Sequence, residues 1–326
     1  MTSIPQALQP LIQFDWSPYT VRVFNLGCFA LDGGAMYGVV PKTIWQKLSP
    51  PDDKNRIRLA TNCVLIEYNP PDGQSAAVLI ETGIGNKFNE KFTAIYAIED
   101  DAPVTEKVIK KNTAEKNTEE REPRPLVLDL ALASAGLTAD DISYVVFTHL
   151  HFDHAGGATR KLPDGSIAPM FANARYTVQE GEWHYANCPH ERCKASYLKE
   201  NLAPVLAGNQ QLNLLTAHET ELLPGLTCKR TGGHTPYHQV VTLETEKNSL
   251  MFWGDLLPTR HHVRIPFVMG YDEYPVETMA KKKALLQETA NPAWVHVFVH
   301  DTEIPVARLL PDVNGKPDEY SVTAAF

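Results

Sequence analysis

Apolar and polar positions along the chain alternate or cluster in blocks that predict a run of strands first and mixed strands and helices later. Residues 19–31 alternate as a strand and run into Asp32-Gly33-Gly34-Ala35-Met36-Tyr37-Gly38, a glycine-rich turn. Met36 and Tyr37 are too apolar for a mere connector; the loop is expected either to tuck under the core or to form a lip facing substrate. Residues 59–68 and 76–81 predict two hairpin strands joined by Asn69-Pro70-Pro71-Asp72-Gly73. Residues 86–98 predict a helix. The stretch at about 100–125 is polar and charged and predicts a solvated insertion. Residues 126–135, stopped by Gly136, predict a helix, and Thr138 with Asp141 predicts a capped turn.

The apolar run 144–147 predicts a short buried strand. Beyond it, strands are expected at 175–178, 226–231 and 294–299, and a hairpin from 239–244 and 249–253. Helices are expected at 180–187, 193–202 and, with an amphipathic pattern, 276–289. In each half, strands are followed by helices. The pattern fits two β-sheets packed face to face with helices outside, an αββα sandwich in the α/β class. The whole of 1–326 is read as one domain carrying the insertion at about 100–125.

Composition changes this picture little. Hydrophobic residues are 43% and charged residues 21%, ordinary for a chain that buries a core. A net charge of −9 disfavours a surface for nucleic acid or anionic lipid. No apolar run approaches bilayer length, and residues 1–15 show no basic stretch leading into an apolar core. Together with the odd, scattered cysteines Cys28, Cys63, Cys188, Cys193 and Cys228, this predicts reduced thiols and a cytoplasmic location. A structural zinc site on Cys188 and Cys193 with His184 or His190 is the weaker alternative, because no second cysteine pair follows.

The chemistry concentrates directly after the 144–147 strand, in His149, Leu150, His151, Phe152, Asp153 and His154. In extended chain, side chains two apart point the same way, so His149 and His151 can reach one ion. Asp153 and His154 follow a change of direction and can face a second ion. Gly156 and Gly157 let the backbone turn tightly and approach closely. Imidazole and carboxylate are the donors that borderline and hard divalent metals prefer.

The pattern His-x-His-x-Asp-His resembles the signature of the metallo-β-lactamase superfamily of hydrolases. That family's later ligands have counterparts here in order: Gly233-His234-Thr235-Pro236-Tyr237-His238, then Gly254-Asp255, then Val299-His300. The resemblance implies the sheet order of the sandwich and a dinuclear site. His149, His151 and His234 would hold one ion, and Asp153, His154 and His300 the other. Asp255 would bridge both, together with a hydroxide. The ions would be zinc, with manganese, iron or cobalt as alternatives. Two close cations acidify a shared water, which attacks a carbonyl or a phosphorus without a serine or cysteine nucleophile. Asp153 is a catalytic candidate, to orient that hydroxide and protonate the leaving group. Glu81-Thr82-Gly83 stands where the family usually has Asp-Thr-Gly beside the metals, so Glu81 carries over only weakly.

The run from Gly254 to His262, the Met269-Gly270-Tyr271-Asp272 stretch and the Gly34–Gly38 loop are most similar to quorum-quenching lactonases of the N-acyl homoserine lactonase type. The function implied is opening of a lactone. A phosphotriester hydrolase and a glyoxalase II-like thioesterase are the alternatives, with only a short tail, 301–326, where the latter adds a helical domain. A catalytically silent metal-binding scaffold is the non-enzyme alternative. Lactonases often hold the lactone carbonyl with a tyrosine, for which Tyr271 and Tyr274 are candidates. The usual motif has glycine at Tyr237, whose ring is expected to narrow the pocket or stack near it. His238 is expected to support a ligand, His261 and His262 to line the pocket, and His296 to face a helix or solvent. The expected partner is a small-molecule substrate, with no nucleic acid or membrane, and a homodimer follows from base rates.

Overall fold

The computed structural model of the protein describes residues 8–99, 126–162, 164–202, 211–312 and 318–325. The stretch expected as a solvated insertion, 100–125, lies outside the described residues.

The first half builds β1 (Ile12–Trp16), β2 (Tyr19–Asp32), β3 (Arg56–Tyr68), β4 (Ala76–Ile80) and β5 (Tyr144–Val146). A small ribbon of β6 (Thr159–Lys161) and β7 (Ile167–Pro169) follows, then β8 (Arg175–Gln179) and β9 (Leu212–Leu215). These form a seven-stranded sheet in the order β1-β2-β3-β4-β5-β8-β9, with β6 and β7 apart. The second half supplies β10 (Glu219–Leu223), β11 (Leu226–Arg230), β12 (Gln239–Glu244), β13 (Ser249–Phe252), β14 (Trp294–Val297), β15 (Val306–Pro311) and β16 (Tyr320–Ala324). They pair in sequence order into a second seven-stranded sheet.

The two sheets face each other across an apolar core. Along β3, Val64 and Ile66 pack toward Val241, Phe252 and Val297 of the second sheet. Their neighbours Cys63 and Leu65 point the other way, against Leu128, Leu132 and Trp183 of two outer helices, Val127–Ser134 and Glu180–Asn187. A strand buried on both faces reads as a continuous apolar run rather than an alternation. The helix Pro275–Thr289 covers the outer face of the second sheet through Leu286, against Met251 and Trp253. The architecture is the αββα sandwich that the sequence pattern predicts.

Four expectations need correction. The glycine-rich turn is a short helix, Gly33–Tyr37, because the Asp32 carboxylate accepts the Ala35 N–H and caps it. The helix expected at 86–98 is confined to Glu90–Tyr96, started by Asn89. Residues 193–202 are not one helix: Lys194–Ser196 is a 3₁₀ turn, and helical backbone resumes at 199. The stretch taken as a short tail carries β15 and β16, which complete the second sheet.

Strand direction places the site. β4, β5 and β8 run parallel to one another. In the other sheet β11 and β13 flank the antiparallel β12, and β13 is parallel to β14. The loops leaving β4, β5, β11, β13 and β14 therefore all emerge at strand C-termini, and they meet at one end of the sandwich. A cluster including Met36, Trp45, Phe152, Phe267 and Met269 packs at that end.

Candidate metal centre

After β5 the backbone bends at Thr148, is extended at His151, and then turns into the short helix Phe152–Ala155. The turn rests on close backbone contact. A Cβ on Gly156 would lie 1.9 Å from the Ile84 carbonyl oxygen, and one on Gly157 2.3 Å from that of Thr82, so neither position admits a side chain. Thr82 fixes the far end, its N–H and hydroxyl both donating to the His154 carbonyl at 2.9 and 2.8 Å.

Two groups of side chains converge. His149, His151, His234 and Asp255 form one; Asp153, His154 and His300 form the other; within each group the candidate ligand atoms lie within 4.8 Å of one another. All are buried. In the first group His151 Nδ1 lies 3.0 Å from His149 Nε2 and 3.2 Å from His234 Nε2. A tetrahedral ion with metal–nitrogen bonds near 2.0 Å separates its ligand atoms by about 3.3 Å. Asp255 divides its oxygens between the groups. Oδ2 is 3.2 Å from His234 Nε2, while Oδ1 is 3.1 Å from His300 Nε2 and 3.5 Å from His154 Nε2. Asp153 Oδ2 completes the second group, 3.4 Å from His300 Nε2 and 3.7 Å from His154 Nε2.

Around these groups sit the atoms that orient them. His234 Nδ1 is 2.8 Å from Asp272 Oδ1, and His300 Nδ1 is 2.8 Å from the Ala60 carbonyl. Glu81 accepts the Thr148 N–H at 2.8 Å, and its other oxygen is 3.5 Å from His154 Nδ1. It does so from a backbone with φ of +64°, a conformation rare for a residue with a side chain. The extra methylene of glutamate still reaches the site. His238 accepts the Asp255 N–H at 3.1 Å and so holds the backbone that carries the Asp255 carboxylate.

Electrostatics separate the histidines. Burial, with His154 close by, pushes His149 well below the usual imidazole range; burial and His234 do the same to His151. Both are held neutral with a lone pair available. Burial also opposes charge on His154 and His234, but their carboxylate neighbours win. Asp153 and Asp255 raise His154 well above its usual value, and Asp255 with Asp272 raises His234. Burial opposes ionisation of Asp255 too, yet His300, His154 and His234 together hold its carboxyl well below the usual carboxylate range.

The donor set fits divalent cations on two further observations. His154 Nε2 and Asp255 Oδ1, which face each other across the second group, are buried without a hydrogen-bond partner. Five carboxylates, Glu81, Asp153, Glu182, Asp255 and Asp272, are buried here. Among the described residues none of them pairs with lysine or arginine. His154 and His234, raised by these carboxylates, offset only part of the charge of five buried acids; a buried anion left uncompensated costs several kcal/mol, and divalent cations would supply the remaining positive charge.

A cavity of about 230 Å³ opens over the centre, lined by Asp153, His151, His234, Asp255 and His300 beneath and by Leu31, Met36, Phe152 and Met269 at the sides. Tyr271 lines it; Tyr274 does not. Burial, with Asp32 nearby, pushes the Tyr271 phenol up to about 12. Met36 of the Gly33–Tyr37 helix forms part of the wall, whereas Tyr37 is buried beside it, stacked on Trp45 and His262.

Other expectations fail for packing reasons. Neither His261 nor His262 lines this cavity. His262 is buried between the Thr259 hydroxyl and the Met36 carbonyl. Tyr237 does not narrow the cavity; its ring lies over Gly181, whose missing side chain makes room for it. His296, by contrast, faces a helix as expected, with its Nε2 3.2 Å from the Thr289 carbonyl of Pro275–Thr289. Cys188 is exposed and Cys193 buried, and no metal cluster among the described residues includes them. Asp272, Glu182, Tyr96 and Arg192 were not singled out from sequence. Asp272 ends the Met269–Asp272 stretch, the only signal that could have found it.

Comparisons with known proteins bear on the family and the fold. The family model described as the metallo-β-lactamase superfamily matches residues 56–160 and 174–300. An N-acyl homoserine lactonase of Bacillus cereus is 33% identical over 176 residues, 53% of this chain and 61% of that one. The chain thus spans about three-fifths of that curated relative's length. A probable metal-dependent hydrolase from Staphylococcus aureus superposes with a TM-score of 0.77 at 28% identity, covering 96% of this chain and 100% of that one. AidC, a dizinc quorum-quenching lactonase solved with the product N-hexanoyl-L-homoserine, shares the fold with a TM-score of 0.70 at 16% identity, covering 98% and 99%.

Proposed function

The chain belongs to the metallo-β-lactamase superfamily, and we propose that it is a dinuclear-metal hydrolase that opens lactones. The observation carrying this reading is the pair of side-chain groups sharing Asp255, one oxygen toward each. His149, His151 and His234 would hold one ion and Asp153, His154 and His300 the other, with Asp255 common to both. Zinc suits the donors, and manganese, iron or cobalt can replace it according to supply. Two such ions supply Lewis acidity, bringing water into the neutral titration range and polarising a carbonyl oxygen.

The protein's own groups do the rest. Asp153, at the cavity floor, orients the attacking water, takes its proton and returns it to the ring oxygen as the ester bond breaks. Tyr271 keeps its hydroxyl proton near neutral pH, since burial with Asp32 nearby pushes the phenol up to about 12. It donates that proton in a hydrogen bond to the lactone carbonyl. Leu31, Met36, Phe152 and Met269 exclude water and accept an apolar chain. Cys193 also borders the cavity, but burial raises its thiol and it is not the nucleophile.

N-acyl homoserine lactones are the proposed substrate class, supported by the named activity of the B. cereus relative. A cytoplasmic location and a homodimer are proposed with it. No described helix is long and apolar enough to cross a membrane. The test is a panel of lactones, thioesters and phosphotriesters offered to zinc-reconstituted protein. Lactones should be hydrolysed with the highest kcat/KM. Protein carrying two ions per chain that opens no lactone rejects the reading.

A further inference from the structure

We infer that Glu182 is a positioning residue for the His149, His151 and His234 group, and for that group alone. The inference rests on the metal-binding reading above. Glu182 lies on the helix Glu180–Asn187 and is fully buried. Its Oε1 accepts the Leu150 N–H at 3.1 Å and the Tyr197 O–H at 2.9 Å. Its Oε2 accepts the Thr235 O–H at 2.7 Å.

Each donor adjoins one or two of the three histidines. Leu150 sits between His149 and His151 in sequence. Thr235 follows His234. The Tyr197 ring stands edge-on to the His151 ring, with centroids 4.7 Å apart. One carboxylate therefore ties together two loops that are far apart in the chain, and braces the ring behind the middle ligand. It makes no hydrogen bond to Asp153, His154 or His300 or to their immediate neighbours. That second group leans instead on Glu81 and the Ala60 carbonyl.

Packing alone does not explain an acid here. An apolar side chain of similar length would fill the space without burying a charge. All three of its partners are neutral donors. A fixed acceptor bonded to both loops keeps the imidazoles convergent before any ion arrives.

The experiment is a zinc titration of the full chain, by competition with a chromophoric chelator, alongside thermal unfolding of the chelated protein. Glu182→Leu should weaken one of the two ions by roughly 10–100-fold, the usual loss for an outer partner of a ligand, and leave the other unchanged. Glu182→Gln should restore affinity. Its carbonyl can serve Leu150 and Tyr197, and its amide can donate to a Thr235 hydroxyl turned the other way. Thr235→Val removes one bond only, with little change of shape, and should weaken the same ion by a smaller factor. It decides the matter if the leucine variant does not fold. The inference is overturned if both ions bind these variants as tightly as wild type. It is also overturned if glutamine fails as badly as leucine, or if both ions weaken equally while the chelated protein unfolds at lower temperature. Wild-type protein that takes up no ion overturns the metal reading itself, and this inference with it.

Discussion

Asp272 joins the cavity wall to the His234 imidazole: Oδ1 is 2.8 Å from His234 Nδ1, and Oδ2 accepts the Met269 N–H at 3.1 Å. One carboxylate thus sets both the ring that would face an ion and the turn that carries Met269, Gly270 and Tyr271 toward substrate. In the neutral ring, a proton on Nδ1 bonded to Asp272 would leave Nε2 bare toward the centre. Asp272→Ala should weaken zinc binding by roughly 10–100-fold and raise KM as well, because the wall loses its anchor. A chelator competition together with steady-state kinetics checks both. Unchanged affinity would mean that Asp272 holds the turn and nothing more.

Acid should destabilise the fold through histidines away from the ions. Burial pushes His262 and His296 down to about 3, from a usual 6.5. Below pH 6.5 the unfolded chain takes up protons that these folded residues refuse. Their contribution is present above that pH and is lost as pH falls toward 3. The slope is about 1.4 kcal/mol per pH unit for each fully titrating group. Urea midpoints of chelated protein should fall between pH 7 and 5, and less steeply in His296→Gln. A flat profile would contradict the assignment.

Lys282 is buried, and its ammonium donates to the carbonyls of His262, Arg264 and Phe267 at 2.8, 3.1 and 2.7 Å. Three acceptors use all three hydrogens of the charged form, although burial pushes the group down to about 7. These bonds tie the 262–267 loop to the helix Pro275–Thr289. Lys282→Met leaves three carbonyls unpaired and should cost about 3–5 kcal/mol. Differential scanning calorimetry should show Tm falling by roughly 4–7 °C. A shift under about 2 °C would show that the loop holds without it.

Tyr271→Phe removes the proposed donor while keeping the ring. It should lower kcat by roughly 100-fold, the scale for losing one such donor, with KM little changed. Equal kcat in variant and wild type would leave Tyr271 as wall only.

The convergent histidines and aspartates are legible because each sits in a short motif soon after a strand. His149 to His154, Gly233–His234 and Gly254–Asp255 all announce themselves locally. Asp272 and Glu182 did not, since a lone acid shows its purpose only when distant loops come together around it. The helix expected at 193–202 is broken at Tyr197, where the phenol turns inward to Glu182. Tyr237 looked like a pocket residue because nothing in the chain says that Gly181, 56 positions earlier, leaves it a seat. The tail reading passes over Tyr320–Ala324, which alternates apolar and polar; β14 offers β15 an edge, and β15 offers one to β16.

The most direct measurement is the metal content of the folded chain, taken by elemental mass spectrometry after zinc reconstitution and desalting, beside Asp255→Ala. The account predicts two ions per chain in the wild type and no more than one in the variant. A wild-type chain that retains none, or a variant that still holds two, would contradict it.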